Sequence, residues 1–564
     1  MRFSRSAGFG RDQLCLVMEM SSIGYGARAY ITSLQSYEDY PPMTQDIYRR
    51  RFIRSAAQWA GIAMVGLGPV RRALAAAPKF INDPFQLGVA SGDPVPDGFV
   101  IWTRLAPDPY DPKALPDEAI PVAWEVASDD KIKKIVQRGN VYARPELGHS
   151  VHVELHGLEH GRQYFYRFTC GDARSRVGRA ITTPTPNTKT ERLKFALASC
   201  QHYDQGYFTA YRDMIAQDPA MIVHVGDYIY EASWGQSIRH SPIADAWTLH
   251  DYRLMHAVYK LDPDLQDAHA HCPWVLTWDD HEVDNDYSDL VAEDETNPIL
   301  FAKRRAAAYQ AYYENMPLRA MAAPDANMNM QMFQRLNFGD LVEFDVLDLR
   351  QYRSVQSCRQ PGMRVGRVID AAHCPDFDDP KRSMLGAIQE TWMGMNFGRT
   401  NARWNVIVQS LMMMNFDQVP GEGRGAYSDN WGAYGTARKK IVDLVLKRGL
   451  TNVISLGGDI HSYFAGDVVT TDADPNSAPV ISEFAGTSIT AESYNTKLFD
   501  SLMPENPNIK YVNDRFRGYV MCDVGRDLWN TDFRIVEDAR VRTPTFRSLA
   551  KFTVENGNPG VKPA

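Results

Sequence analysis

Seven cysteines in 564 residues are too few for a disulfide-dense scaffold. No run reaches the ~18 unbroken apolar residues that a membrane-spanning helix needs. Basic residues are the minority, 61 Lys/Arg against 69 Asp/Glu for a net charge of −8, which argues against a stable nucleic-acid complex held by a basic face. There is no internal repeat and no low-complexity block. The rest is ordinary, with 44% hydrophobic and 23% charged residues, which excludes disorder, collagen and coiled coil for the whole chain. The length allows about three to four domains at ~150 residues each. Eleven Trp, 27 Tyr and 24 Phe supply material for β structure and a lined cleft.

What is present begins with an address. Tyr48-Arg49-Arg50-Arg51-Phe52-Ile53-Arg54 resembles a twin-arginine export signal. An apolar run from Ala56 to Val70 follows, broken by Gly61, Gly66 and Gly68, and small residues offer cleavage after Ala75 or Ala77. Charged, apolar and small-residue regions in that order read as a signal peptide within residues 1–77, with Met43 as a second possible start. The expectation is export through the twin-arginine machinery to the periplasm or the medium. That route carries folded proteins, often with a cofactor already inserted. Residues 1–77 hold 10 of the Lys/Arg and 5 of the Asp/Glu, so the mature chain keeps 51 against 64, a charge of −13. Such a surplus is ordinary solvated surface or suits a collector of multivalent cations. Six cysteines remain, and an oxidising compartment permits pairing. Cys358 and Cys374, flanking a Gly- and Arg-rich loop of fifteen residues, are the expected disulfide.

Between 80 and 183 the pattern is short alternating runs: Gly98–Trp102, Pro121–Val126, Ser150–Leu155 and Tyr164–Phe168. Their period of two predicts an antiparallel β-sandwich as N-terminal domain. Residues 182–188 read as a linker. From 190 to 545 fully apolar runs alternate with helical stretches, which predicts a mixed α/β domain with buried strands. The expected strands are Leu193–Ala198, Ala220–Val225, Trp274–Thr277, Leu341–Leu347, Trp404–Val408 and Asn452–Leu456. One helix, Thr436 to Arg448, is clear from its apolar face and its stop at Gly449. Residues 546–564, spotted with Pro and Gly, are expected to be a C-terminal tail that covers the site or hangs free.

The chemistry follows the strands. They run into Ser199-Cys200-Gln201, Gly226-Asp227-Tyr228-Ile229-Tyr230-Glu231, Trp278-Asp279-Asp280-His281-Glu282-Val283-Asp284-Asn285, Asp348-Leu349-Arg350-Gln351-Tyr352-Arg353 and Gly457-Gly458-Asp459-Ile460-His461. Sites in α/β sheets form outside the carboxyl ends of strands, so these groups should converge. At least three carboxylates in one cleft would repel and be driven to protonate unless a cation screens them. Hard oxygens suit Ca²⁺, Mg²⁺ or Mn²⁺, whereas Cys200, Tyr230 and His461 suit a more Lewis-acidic ion such as iron. The mixture points to two kinds of metal. Taken alone, Cys200 and Tyr230 read equally as core residues. A phosphatase nucleophile is a poor reading of Cys200, because no arginine stands six residues on.

Together these segments resemble the PhoD-type alkaline phosphatases, metallophosphoesterases related to purple acid phosphatase. Phe85–Asp93 and Trp102-Thr103-Arg104 resemble that family's N-terminal domain. The resemblance implies an α+β multi-domain protein, with an N-terminal antiparallel β-sandwich followed by a four-layer α/β/β/α metallophosphoesterase domain. It implies ferric iron held by Cys200, Asp227, Tyr230 and His461, with Asp227 bridging. Calcium would fall to Asp459 and the Asp279/Asp280 pair, with Asn285 adding an oxygen to a second calcium. Asp429-Asn430-Trp431-Gly432-Ala433-Tyr434 departs from the family pattern, with Ala433 where glycine is expected, and reads as peripheral to the metals.

The implied activity is metal-assisted hydrolysis of phosphate monoesters and diesters, with small phosphate esters, nucleotides or phospholipids as substrates. His281 is expected to protonate the leaving alkoxide or orient the phosphate, with Glu282 or Asp284 fixing its tautomer; a structural histidine is the alternative. Arg350 and Arg353 could hold phosphate oxygens or form buried ion pairs. A phospholipase D-like diesterase and a non-catalytic metal-stabilised binding protein are the rival functions.

Overall fold

A computed structural model describes residues 79–564 except 295, 361, 363, 364, 494–498 and 500. The twin-arginine segment and the rest of the expected signal peptide lie outside the described residues.

Two large sheets organise the chain. In the middle of the ten-stranded sheet, Arg192–Ala198, Ile222–Val225 and Trp274–Thr277 run parallel, with Ile222 opposite both Ala196 and Trp274. The seven-stranded sheet carries a second parallel set, Val342–Val346, Trp404–Val408, Val453–Gly457 and Pro479–Ala485. These runs are mostly apolar and almost wholly buried because both faces are covered, although Glu343, Asp345 and Glu483 are buried within them. Successive side chains point to opposite faces. Phe195 and Leu197 enter a core shared with Phe344, Val406 and Phe484 of the other sheet. Ala196 and Ala198 turn the other way, towards Tyr252 and Tyr309 on the helices Leu249–Lys260 and Pro298–Asn315. Ile407 and Val453 likewise meet Met393, Ile441 and Val445 on the helices Gly386–Asn396 and Gly435–Arg448. The last of these ends as the sequence predicts, at Gly449 in the left-handed conformation (φ +63°).

The N-terminal runs are divided between two sheets. Gly98–Arg104 and Ser150–Glu154 belong to the ten-stranded sheet, joined to it through Val89–Val95, where Gly92 pairs with Trp274. Ile120–Ala127, Ile135–Ala143, Gln163–Cys170, Ala173–Arg174 and Gly178–Ile181 make a separate five-stranded antiparallel sheet. Phe99, Ile101, Val122 and Phe168 pack in one core between them.

The C-terminal segment is not a tail. Phe546–Glu555 and Asn558–Pro563 are strands at the edge of the ten-stranded sheet. Phe552, Val554 and Val561 drop into the core between the sheets, which anchors the segment in spite of its Pro and Gly. The expected disulfide is present, Cys358 to Cys374, with Cα atoms 5.7 Å apart.

Candidate metal centre

The parallel strands of both sheets deliver their carboxyl ends to one place. Thr277 at the end of its strand donates to the Leu347 carbonyl of the other sheet at 2.7 Å. Cys200, Asp227, Asp459 and His461 all take left-handed backbone, at φ +57°, +54°, +64° and +50°. Each such non-glycine residue costs about 1–3 kcal/mol, and these conformations gather at functional sites. Two glycines make room for the close approach. A Cβ on Gly226 would stand 2.5 Å from the backbone nitrogen of Asp279, and one on Gly458 2.6 Å from Ser199 Oγ. Glu282 fastens the turns, accepting the backbone N–H groups of Asp227 (3.0 Å), Tyr228 (2.7 Å) and Asp279 (2.8 Å).

Four groups of candidate ligands result, each with its donor atoms within 4.8 Å of one another: Cys200–Asp227–His461, Asp227–Asp280–His281, Asp279–Asp280–Asp459 and Asp280–Asp286–Asp429. Asp227 and Asp280 are shared, so the groups form one continuous centre. The Tyr230 hydroxyl donates to Asp227 Oδ2 at 2.9 Å and lies 3.1 Å from His461 Nε2. The Glu492 carbonyl holds His461 Nδ1 at 2.7 Å, so Nε2 faces inward.

The charge balance of this cluster calls for a cation. Asp227 Oδ1, Asp279 Oδ2 and Asp280 Oδ1 are buried without a hydrogen-bond partner. Burial, reinforced by Asp280 and Asp279, raises the Asp227 carboxyl well above the usual range despite the attraction of His281. Desolvation and the same two neighbours do likewise to Asp459. Burial pushes Asp279 up to about 6 against the pull of Arg350. Burial and Asp227 raise the Cys200 thiol well above its ordinary value. A bound cation reverses every one of these shifts. Hard carboxylate oxygens beside thiol, phenol and imidazole fit the two-metal expectation by the chemistry of the donors.

Several residues sit differently from their expected roles. Glu231, rather than Glu282 or Asp284, holds His281: its Oε2 accepts from Nδ1 at 2.7 Å. Glu282 is occupied by backbone N–H groups, and Asp284 pairs with Arg304 at 2.6 Å. Burial disfavours the imidazolium, yet Glu231, Asp280 and Asp227 outweigh it and raise the His281 pKa well above its ordinary value. Arg350 and Arg353 have side chains with 0% exposure. Arg350 pairs with Asp279, Asp280 and Asp429, and Arg353 with Asp429, which is the ion-pair alternative. The Asp429 segment is therefore not peripheral. Its carboxylate also accepts from Gln356 at 2.7 Å and completes a group with Asp280 and Asp286. Asn285 donates its backbone N–H to Glu231 Oε1 at 3.1 Å. Ser410, after the strand Trp404–Val408, donates to Asp279 Oδ1 at 2.8 Å; position at a strand end was the signal that could have found it.

Relatives of known structure and name share the fold. The PhoD-like phosphatase family matches residues 195–533, and its N-terminal domain matches residues 71–184. Alkaline phosphatase D of Bacillus subtilis (strain 168) is 39% identical over 534 residues, covering 91% of this chain and 88% of that protein. The solved structure of PhoD superposes with a TM-score of 0.82 at 38% identity, covering 86% of this chain and 93% of that one. With the family pattern spanning both its N-terminal sheets and its acidic centre, the chain belongs to the PhoD-like phosphatases.

Proposed function

We propose that this phosphoesterase hydrolyses phosphate monoesters and diesters at the centre built on Asp227. The observation that carries the reading is the set of three buried carboxylate oxygens without a hydrogen-bond partner, on Asp227, Asp279 and Asp280. In this reading Cys200, Asp227, Tyr230 and His461 hold ferric iron, and Asp279, Asp280 and Asp459 hold calcium, with Asn285 a further oxygen donor. When bound, the ions neutralise phosphate charge and lower the pKa of the attacking water.

The chain's own part is proton handling and positioning. Glu231 occupies Nδ1 of His281, which leaves Nε2 to deliver a proton to the departing alkoxide. Arg350 and Arg353 act behind the carboxylates, fixing Asp279 and Asp429, and do not reach the substrate. Three cores on and between the large sheets are consistent with α/β/β/α layering over residues 190–545, and a fourth with a sandwich-type domain over 80–183. The motif at Arg49-Arg50 supports export by the twin-arginine route.

Hydrolysis of 4-nitrophenyl phosphate and of its bis ester by the metal-loaded protein tests the reading. Turnover of both, abolished by a chelator and restored by iron with calcium, is expected. Turnover that survives complete removal of metal contradicts it.

A further inference from the structure

Resting on that phosphoesterase reading, we propose that Trp234 is the platform for the substrate's leaving group and selects esters whose alcohol carries a flat ring over small aliphatic ones. Four rings cluster beside the acidic centre. The Trp234 ring centroid lies 4.4 Å from that of His202, 4.9 Å from Tyr230 and 4.8 Å from His281. His202, Tyr230 and His281 are buried, whereas Trp234 is 40% exposed. It is therefore the member of the cluster that meets an incoming molecule.

Its place is fixed by the backbone. The Trp234 carbonyl accepts from Gln205 Nε2 at 2.9 Å. Gly235 follows in left-handed backbone (φ +75°), where a Cβ would stand 2.5 Å from the same Gln205 nitrogen. On this backbone the indole lies beside the His281 ring, with 33° between the ring planes.

The side on which it stands follows from the proton. A group that protonates the leaving oxygen must come within about 3 Å of it, so the alcohol part of the ester lies next to the His281 imidazole. The indole adjoining that imidazole is then within reach of the alcohol's first ring. A flat ring gains a stacked contact there, while an ethyl group covers little of the indole. Stacking of this kind changes binding by about tenfold or more.

The test uses the metal-loaded enzyme with 2-naphthyl phosphate and ethyl phosphate, and the non-hydrolysable 2-naphthylphosphonate and ethylphosphonate as calorimetric ligands. Trp234→Leu is expected to lower kcat/KM for the naphthyl ester about tenfold more than for the ethyl ester, with a matching selective loss of naphthylphosphonate affinity. Trp234→Phe, which keeps a ring, is expected to retain most of the preference. Equal losses on both esters, or a larger loss on the ethyl ester, would overturn the proposal, because a residue that merely props His281 costs most where the leaving alkoxide needs its proton. An unchanged naphthyl preference in Trp234→Leu would also overturn it, leaving the phosphoesterase reading intact. A wild-type holoenzyme inert towards both esters would remove that reading and this inference together.

Discussion

Glu231 Oε2 and His281 Nδ1 stand 2.7 Å apart, 50 residues distant in sequence, with both side chains at least nine-tenths buried. The pair occupies Nδ1 of an imidazole that belongs to the group with Asp227 and Asp280. On the proposed mechanism, proton delivery would depend on a carboxylate that need not touch substrate or metal.

Glu231→Gln keeps the shape and removes the charge. It is expected to lower kcat for alkyl phosphate esters by about 10–100-fold, the usual effect of disturbing such a supporting partner. Esters of 4-nitrophenol, whose leaving group needs no proton, should lose much less. Equal losses on both would show that Glu231 supports the fold rather than His281. This dependence runs opposite to the one expected at Trp234, so the two roles separate in one set of assays.

Arg350 joins Asp279, Asp280 and Asp429, all with side chains at most 3% exposed. Arg350→Met leaves buried carboxylates uncompensated and is expected to destabilise the protein by about 3–5 kcal/mol. A lower unfolding midpoint, read by thermal or denaturant melting, checks this. An unchanged midpoint would mean the arginine is not needed to hold the cluster.

The disulfide closes a segment of sequence separation 16 that lies directly after Gln356, the residue bonded to Asp429. Its removal should cost up to ~3 kcal/mol through the entropy of the opened loop. Reducing agent should lower the melting temperature of the wild type and leave that of Cys358→Ser/Cys374→Ser unchanged.

Lys260 is buried, with Tyr228 Oη at 3.2 Å and His269 Nε2 at 3.5 Å as its polar neighbours. Burial, and secondarily Arg104, push its amine down to about 7. The folded pKa lies below the unfolded value, so between pH 7 and 10 the unfolded chain binds more protons. The penalty of burying the charge therefore stands in full below pH 7 and is relieved as pH rises from 7 to about 10, roughly 5 kcal/mol in all. Lys260→Met should flatten the pH dependence of unfolding free energy there; the same slope in the variant would contradict the assignment.

The parallel strands and their acidic ends were legible because a strand covered on both faces must be apolar and a turn at its end tolerates Asp. Cys200, Asp227, Tyr230, Asp279, Asp280, Asp459 and His461 stood at those ends and do come together. Glu231 was in view within its motif, yet its link to His281 spans two loops and leaves no local periodicity. Asp429 looked remote because two buried arginines from another strand end connect it to the centre. The division of the N-terminal runs between two sheets turns on the pairing of Gly92 with Trp274, which no alternation of side chains encodes. In the C-terminal segment, Pro and Gly masked an alternation that Phe552, Val554 and Val561 carry in the fold.

The central claim is that the centre built on Asp227 would hold two kinds of metal. Elemental analysis of the purified wild type beside Asp227→Asn tests it most directly. The account predicts iron and calcium in the wild type, and loss of both metals and of phosphoesterase turnover in the variant. Full iron and calcium in Asp227→Asn with retained activity, or an active wild type containing neither metal, would contradict it.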